Sequence, residues 1–438
     1  MSPPRSTALT VVAPIVPARR DALAAALAEI ASDLDGSDGE NHVLPLGVLP
    51  RTHFIRWVIV DDRARELPPV LAMEANIDGP VDAYLRDLAA VAADGMDRLF
   101  GCCVGYPAGG ARDVLAFTRW MRRHARRAEA FYCAYRDVPK AQVDNDRKVH
   151  DAIREIVDAR RAELATLPPR RVMERIRAEV RARAAADGLD LSPQPDDDDR
   201  FARAFRRTVA AAVAGGLVAL PALLAVAPVA AATLRWKETR DRPAVFPHPV
   251  RDRSGLQHDE DFIVQNQLTN VVDVKPGWFR YGLLRAVLYG IDRLARTYYV
   301  HGHLGGITSI HFARWVIVPD PRPWRPLARR RHRLLFFSNY DASWESYLGE
   351  FVDRAAGGLT AVWSNTEGFP RARWLKEDGA DDEEAFKNWA RSIQIPTQVW
   401  WSGARYSTTQ NVIDDVWIRR RLERDLSDQE IEAWLLRL

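Results

Sequence analysis

Acid, base and amide groups crowd one stretch of the chain, QHDEDFIVQNQ at 257–267. His258, Asp259 and Glu260 could move protons as general acid and base. Behind them Gln265, Asn266 and Gln267 enter a predicted strand, where Gln265 and Gln267 share a face and Asn266 takes the other. Amides there either line a hydrogen-bonding pocket or end a polar linker on an edge strand. A second set recurs: HFIRWVIV at 53–60 and HFARWVIV at 311–318 place His53 and Arg56, then His311 and Arg314, at matching positions. Strict alternation puts each histidine on the tryptophan side of its strand and each arginine on the opposite side. An inward arginine wants an anion, whether a carboxylate or a cofactor propionate, and the alternative is a structural tie shared by both strands. His301 and His303 are spaced to serve a metal if a third ligand comes from elsewhere, and otherwise are loop histidines. His124 and His150 lie on predicted helices among arginines, as axial haem ligands or as surface residues. No HExxH motif, nucleophile triad or phosphate-binding glycine loop is present.

The matching octapeptides lie 258 residues apart, and the likeness extends outward from them. LAMEANIDGPVDAYLRDL lies over LLFFSNYDASWESYLGEF without a gap, pairing Asn76 with Asn339 and Asp78 with Asp341. FTRWMR at 117–122 meets FKNWAR at 386–391, and FYCAY at 131–135 meets WWSGA at 400–404. This reads as an internal duplication of about 130 to 150 residues, the size of one domain. Within each copy the periodicity gives strand, helix, two strands, helix and strand, with DRLFGCCVG as the first copy's fourth strand. A further helix near 111–126 and a strand near 130–135 follow. N-capping of the helices that follow them explains Asp78 and Asp341. The predicted organisation is a module at 1–150, a charged helical linker at 151–207, an apolar segment at 208–234, a linker at 235–257 and a second module at 258–438.

A four-stranded antiparallel sheet with helices on one face leaves the other face bare, and two copies in one chain can cover each other. The fold class expected is α+β: tandem duplicated ferredoxin-like modules packed sheet to sheet as an intramolecular α+β barrel, with an inserted apolar helical segment. This plan, with its VxPxxxxxLxxxL-type opening, resembles the dimeric α+β barrel superfamily, which includes dye-decolorising peroxidases, chlorite dismutases and small monooxygenases. The resemblance implies oxidoreductase chemistry with haem as a candidate cofactor. The Gly-x-x-Asp-Gly signature of the peroxidases is missing, and GSDG at 36–39 has the wrong spacing.

Composition narrows the classes further. A net charge of +3 over 438 residues gives no nucleic-acid footprint. Six of the 62 basic residues are lysines, a bias of genome composition more than of chemistry. Cys102, Cys103 and Cys133 suit neither a disulfide framework nor a zinc site, which favours a reducing compartment. No cleavable signal peptide is expected.

From Thr208 to Leu234 the chain carries no charge over 27 positions, about 40 Å of helix against a hydrocarbon core of about 30 Å. Modules that clasp each other must stay on one side of a membrane, so a re-entrant or monotopic hairpin is expected, bent near Pro221 or Pro228. Arg203, Arg206 and Arg207 precede the run, and Arg235, Lys237, Arg240 and Arg242 follow it, which points both ends to the cytoplasmic face. A bend in lipid exposes backbone unless shallow insertion or self-association into an oligomer covers it. Trp278, Phe279, Tyr281, Tyr298 and Tyr299, among arginines, read as an interfacial helix or as a large helix of the second module. Two functions follow. One is a membrane-associated oxidoreductase acting on a lipophilic small molecule, with Arg56 or Arg314 holding an anionic group and 258–267 lining the pocket. The other is a non-catalytic lipid-binding or membrane-assembly module.

Overall fold

The alternating period-two and helical runs condense into two antiparallel sheets. The computed structural model describes residues 6–36, 42–62, 67–194, 198–246, 264–300, 302, 304–322, 326 and 330–438. The first half contributes β1 (Ser6–Pro14), α1 (Arg20–Gly36), β2 (Thr52–Asp62), β3 (Leu67–Asp78), α2 (Val81–Phe100), α3 (Val114–His124), β4 (Ala125–Arg126) and β5 (Ala128–Cys133). After α4 (Lys140–Ala159), α5 (Arg161–Leu164), α6 (Pro169–Asp187) and α7 (Asp198–Glu238) come β6 (Gln265–Asp273), α8 (Trp278–Thr297), β7 (Ile310–Val318) and β8 (Arg333–Asp341). The chain ends with α9 (Trp344–Trp363), the short β9 (Ala372–Arg373) and β10 (Glu377–Asp378), α10 (Glu383–Ile393), β11 (Val399–Ser402), α11 (Thr409–Leu422) and α12 (Asp428–Leu435). The protein is of mixed α+β class.

The larger sheet has the order β11-β2-β3-β1-β4 and the smaller β5-β7-β8-β6. Each half therefore gives its last strand to the other half's sheet. Phe131 pairs with Arg314 across β5 and β7, and Trp400 pairs with Arg56 across β11 and β2. Next to β1, Val11 pairs with Ala125; at the corresponding place in the second half Asn270 bridges Gln394. DRLFGCCVG is not a strand. After a kink at Ala92, α2 runs on to Phe100 with Met96, Leu99 and Phe100 buried, and in this stretch only Cys103 bridges a strand-like residue, Ile15.

Strand parity decides what each face meets. Ile55, Trp57 and Met73 belong to a core with Leu27 of α1 and Leu88 of α2, whereas Val58, Val60 and Ala72 pack against Val316, Leu335 and Phe337 of the other sheet. The arginines thus lie between the sheets. The histidines do not follow the expected alternation, because register shifts fall at Thr52/Phe54 and Ile310/Phe312. A bulge re-aims the residue it displaces. His53 turns to within 5.3 Å of the Phe312 ring and His311 to within 5.2 Å of the Phe54 ring.

The stretch expected as a charged linker is folded against the chain's C-terminal helices. Val149 and Ile153 of α4 and Met173, Ile176 and Val180 of α6 share a core with Ile418 and Leu422 of α11 and Trp434 of α12. The arginine-rich sequence hid this because only a narrow apolar stripe on each helix is buried.

The expected hairpin is also corrected. α7 is one helix of 41 residues, about 61 Å long, with Pro221 and Pro228 inside it. A proline removes one backbone hydrogen bond, and the remaining ladder carries the helix on. Phe201 is buried at one end, where Arg200 pairs with Asp137 at 2.8 Å and Phe205 lies 5.1 Å from Tyr298. At the other end Leu234 is buried and Glu238 accepts hydrogen bonds from the Trp374 and Leu375 amides. Between them no described residue from 209 to 229 is buried, and Val213, Leu217, Val218, Leu224 and Val229 are exposed.

Candidate functional site

Between the sheets two arginines reach across in matching ways. Arg56 donates to Leu268 O at 2.9 Å, Thr269 Oγ1 at 3.2 Å, Ser338 O at 2.8 Å and Asn339 Oδ1 at 2.5 Å. Arg314 donates to Leu9 O at 2.9 Å, Thr10 Oγ1 at 3.1 Å, Ala75 O at 2.9 Å and Asn76 Oδ1. Each guanidinium therefore ties its own sheet to two strands of the other. Glu74 serves both: its carboxylate lies 2.9 Å from Arg56 Nε and 2.8 Å from Arg314 Nη2. All three side chains are at most 1 % exposed. Burial pulls the Arg56 guanidinium below its ordinary value and takes Arg314 down to about 10, which still leaves Arg314 charged at neutral pH. Arg314 Nε is the one guanidinium nitrogen of the two residues left without a partner. The anion that these arginines were expected to want is a carboxylate of the chain itself.

At one end of this interface two His–Asp pairs lie near each other. His53 Nε2 is 3.0 Å from Asp78 Oδ1, and His311 Nε2 is 2.8 Å from Asp341 Oδ1. The other carboxylate oxygens accept the first amides of two helices, Lys140 N of α4 at 2.6 Å and Thr409 N of α11 at 2.7 Å. The aspartates thus cap helices distant in sequence, not the ones that directly follow them, where the negative charge also meets the positive end of the helix dipole. Tyr135 places its hydroxyl 3.1 Å from His311 Nδ1, and burial holds that hydroxyl well above its ordinary pKa. Histidine, carboxylate and phenol could relay protons in principle. Here His53, Asp78, His311 and Tyr135 are all buried, and the carboxylates are committed to holding backbone.

The strand amides are likewise committed. Gln265 Nε2 donates to Ala404 O and Ser407 O while its Oε1 accepts from Ser402. Asn266 donates to Ala342 O, and Gln267 Oε1 accepts from Thr397 and Arg56. They fasten β6 to neighbouring strands and loops. His258, Asp259, Glu260, His301 and His303 lie outside the described residues.

Neither candidate haem ligand has the surroundings that role needs. His124 Nδ1 bonds Trp120 O at 2.9 Å with its ring 4.2 Å from the Trp120 ring, and His150 Nδ1 bonds Asp415 at 2.6 Å inside the helical cluster. An axial ligand needs a ring nitrogen facing a planar cavity, and the arginines that would hold propionates are spent on carbonyls and on Glu74. The described residues do not fit a haem between the sheets. Among them no group of three His, Cys, Asp or Glu side chains is placed to hold a metal ion.

Two residues of this interface escaped the sequence reading. At the 263-residue offset Glu74 stands where the second half has Phe337, and at the 269-residue offset Tyr135 stands where it has Ala404. Departures between the halves were the signal that could have found them. No family model, curated protein or solved structure matches the chain.

Proposed function

We propose that this chain is a lipid-binding or membrane-assembly module. In this reading two ferredoxin-like halves, related by internal duplication, clasp each other as an intramolecular α+β barrel of the kind the superfamily resemblance implies. α7 seats that barrel on the cytoplasmic face of a membrane. The observation that carries the proposal is α7 itself: a charge-free run of 27 residues, fixed to the body at both ends and bare between them. An exposed apolar surface of that extent marks an interaction site.

Lipid is the occupant favoured by what surrounds the helix. Arginines flank it at both ends, and Trp236 of α7, Trp278 and Tyr289 of α8 and the adjoining Tyr298 are large exposed aromatics on or next to the same two helices. Amphipathic rings beside basic groups suit the headgroup layer. With both ends held on one body, α7 lies along the membrane instead of crossing it. The binding reading is preferred to an oxidoreductase because the polar side chains between the sheets bond one another.

The test is flotation of the full chain with phosphatidylcholine vesicles. The wild type is expected to float, and Leu217→Glu with Leu224→Glu, both exposed, to reduce the bound fraction at least ~10-fold while leaving the melting temperature unchanged. A wild type that stays with the soluble fraction, or a double variant that floats equally well, would sink the proposal. A haem absorption band in the purified protein would return the oxidoreductase reading to first place.

A further inference from the structure

At the C-terminal foot of α7 the chain turns back over the start of α8 and leaves a cleft of about 520 Å³. Five cations line it, Lys237, Arg240, Arg242, Lys275 and Arg280, against two carboxylates, Asp241 and Glu367. Asp241 is already shared: its Oδ2 lies 2.7 Å from Lys275 Nζ and 2.6 Å from Arg280 Nη2. Lys275 Nζ also donates to Ser364 O at 2.7 Å. Arg280 is 1 % exposed, and its Nε and Nη1 have no partner. Two unmatched donors on a buried cation are costly to leave unmade, and a water molecule could bond them without offsetting the charge.

The backbone adds to the same potential. Arg280 sits in the first turn of the 20-residue α8, whose N-cap Gly277 has φ +100 and offers no capping side chain. Helix-start amides and an arginine fork together suit a tetrahedral oxyanion with several acceptor oxygens. Burial lowers Lys275 to about 8, so an arriving anion would also restore its full charge. The setting bears on the source of the anion. Trp236 is half-exposed two residues beyond Leu234, the last residue of the charge-free run, and the Arg240 guanidinium stacks 4.0 Å over its ring.

We propose that this cleft binds a phosphate monoester, with Arg280 and Lys275 at its floor and Arg240 and Arg242 at its rim, and that the monoester is carried by a membrane lipid headgroup, as distinct from the phosphodiester of phosphatidylcholine. The phosphate chemistry stands on the cleft alone. The lipid source rests on the membrane reading above, because the cleft then lies at headgroup level beside the embedded helix.

The experiment uses the full chain and three kinds of vesicle: phosphatidylcholine alone, phosphatidylcholine with phosphatidic acid, and phosphatidylcholine with oleate at matched surface charge. Inorganic phosphate, tested by its effect on melting temperature, is the soluble arm. Phosphatidic acid vesicles are expected to bind about tenfold more tightly than oleate vesicles, a preference lost in Arg280→Lys, which keeps the charge but not the fork. The exposed pair Arg240→Gln with Arg242→Gln is expected to weaken the preference without changing stability, which guards against misfolding of the buried variant. Equal binding to phosphatidic acid and oleate vesicles, or a preference that survives both variants, overturns the cleft and leaves membrane attachment standing. Protection by inorganic phosphate that depends on Arg280, with no flotation on any vesicle, overturns the lipid source and the membrane reading together.

Discussion

Replacing Glu74 by Gln isolates the charge balance at the centre of the molecule. The change keeps the volume and one acceptor, but it leaves the Arg56 and Arg314 guanidiniums together between the sheets, each at most 1 % exposed. One pair of unit charges 4 Å apart is worth about 4 kcal/mol at an effective dielectric of 20, and Glu74 makes two such pairs. Against this stands the desolvation of the carboxylate, which the variant no longer requires. Removing one partner of a buried ion pair costs about 3–5 kcal/mol in net terms, and that range is expected here. Urea unfolding of the full chain, followed by tryptophan fluorescence at neutral pH, measures it, since Trp57 and Trp400 flank Arg56 on β2 and β11. Added salt is not expected to restore the loss, because a buried triad is screened far less than a surface pair. The triple variant Arg56→Met, Glu74→Leu, Arg314→Met, which removes all three charges, should lie much closer to the wild type than Glu74→Gln does. A loss below about 1 kcal/mol for Glu74→Gln would refute the idea that one carboxylate holds both clamps in place.

Asp146 of α4 is fully buried, and burial raises its pKa to about 6 despite hydrogen bonds from Gln142, Asn145 and Gln194. The folded state therefore takes up a proton more readily than the unfolded chain, and the stability this gives is present below pH ~4 and lost as pH rises through ~6. Asp146→Asn should stabilise the protein by about 1–3 kcal/mol at pH 7.5 and by nothing at pH 4, read from urea midpoints at the two pH values; a constant difference would contradict the assignment. Asp341→Asn loses a charged acceptor shared by His311 and Thr409 N. A loss of about 2 kcal/mol is expected, with faster amide exchange at the start of α11, and unchanged exchange there would show that the carboxylate does not cap that helix.

The sequence made much of the strand plan readable, and the errors have specific causes. Alternation along β2 and β7 put each arginine on the face opposite its tryptophan without telling which face turns inward, and a bare sheet face that needed cover pointed to contact between the sheets. Alternation failed at His53 and His311 because a bulge at each carries no residue signature of its own. The exchange of β5 and β11 between the sheets could not be read from periodicity, which reports a strand but not its neighbour. Glu74 carries no motif of its own, because a charge balance between two recurring arginines needs only one carboxylate and the matching position in the other half is Phe337. The helices between the halves were mistaken for a linker because arginine side chains cover most of their surface.

If α7 is the proposed membrane attachment, the exchanged strands and α7 together constrain how the molecule would meet a bilayer. Because each half completes the other's sheet, the halves cannot separate without breaking the β2–β11 and β5–β7 ladders along with the arginine clamps. α7 leaves the first half by way of α4 and α6, is held near Asp137 at its start and near Trp374 at its end, and so has both ends on one inseparable body. A crossing helix needs its ends about 30 Å apart along the membrane normal, with one of them beyond the far surface. This body could meet that demand only by releasing one of the two ends, at the expense of buried Phe201 or of buried Leu234 and Glu238. Lying flat releases neither end. In the proposed reading it would also put the arginine flanks and Trp236 at headgroup level, with the basic cleft beside them.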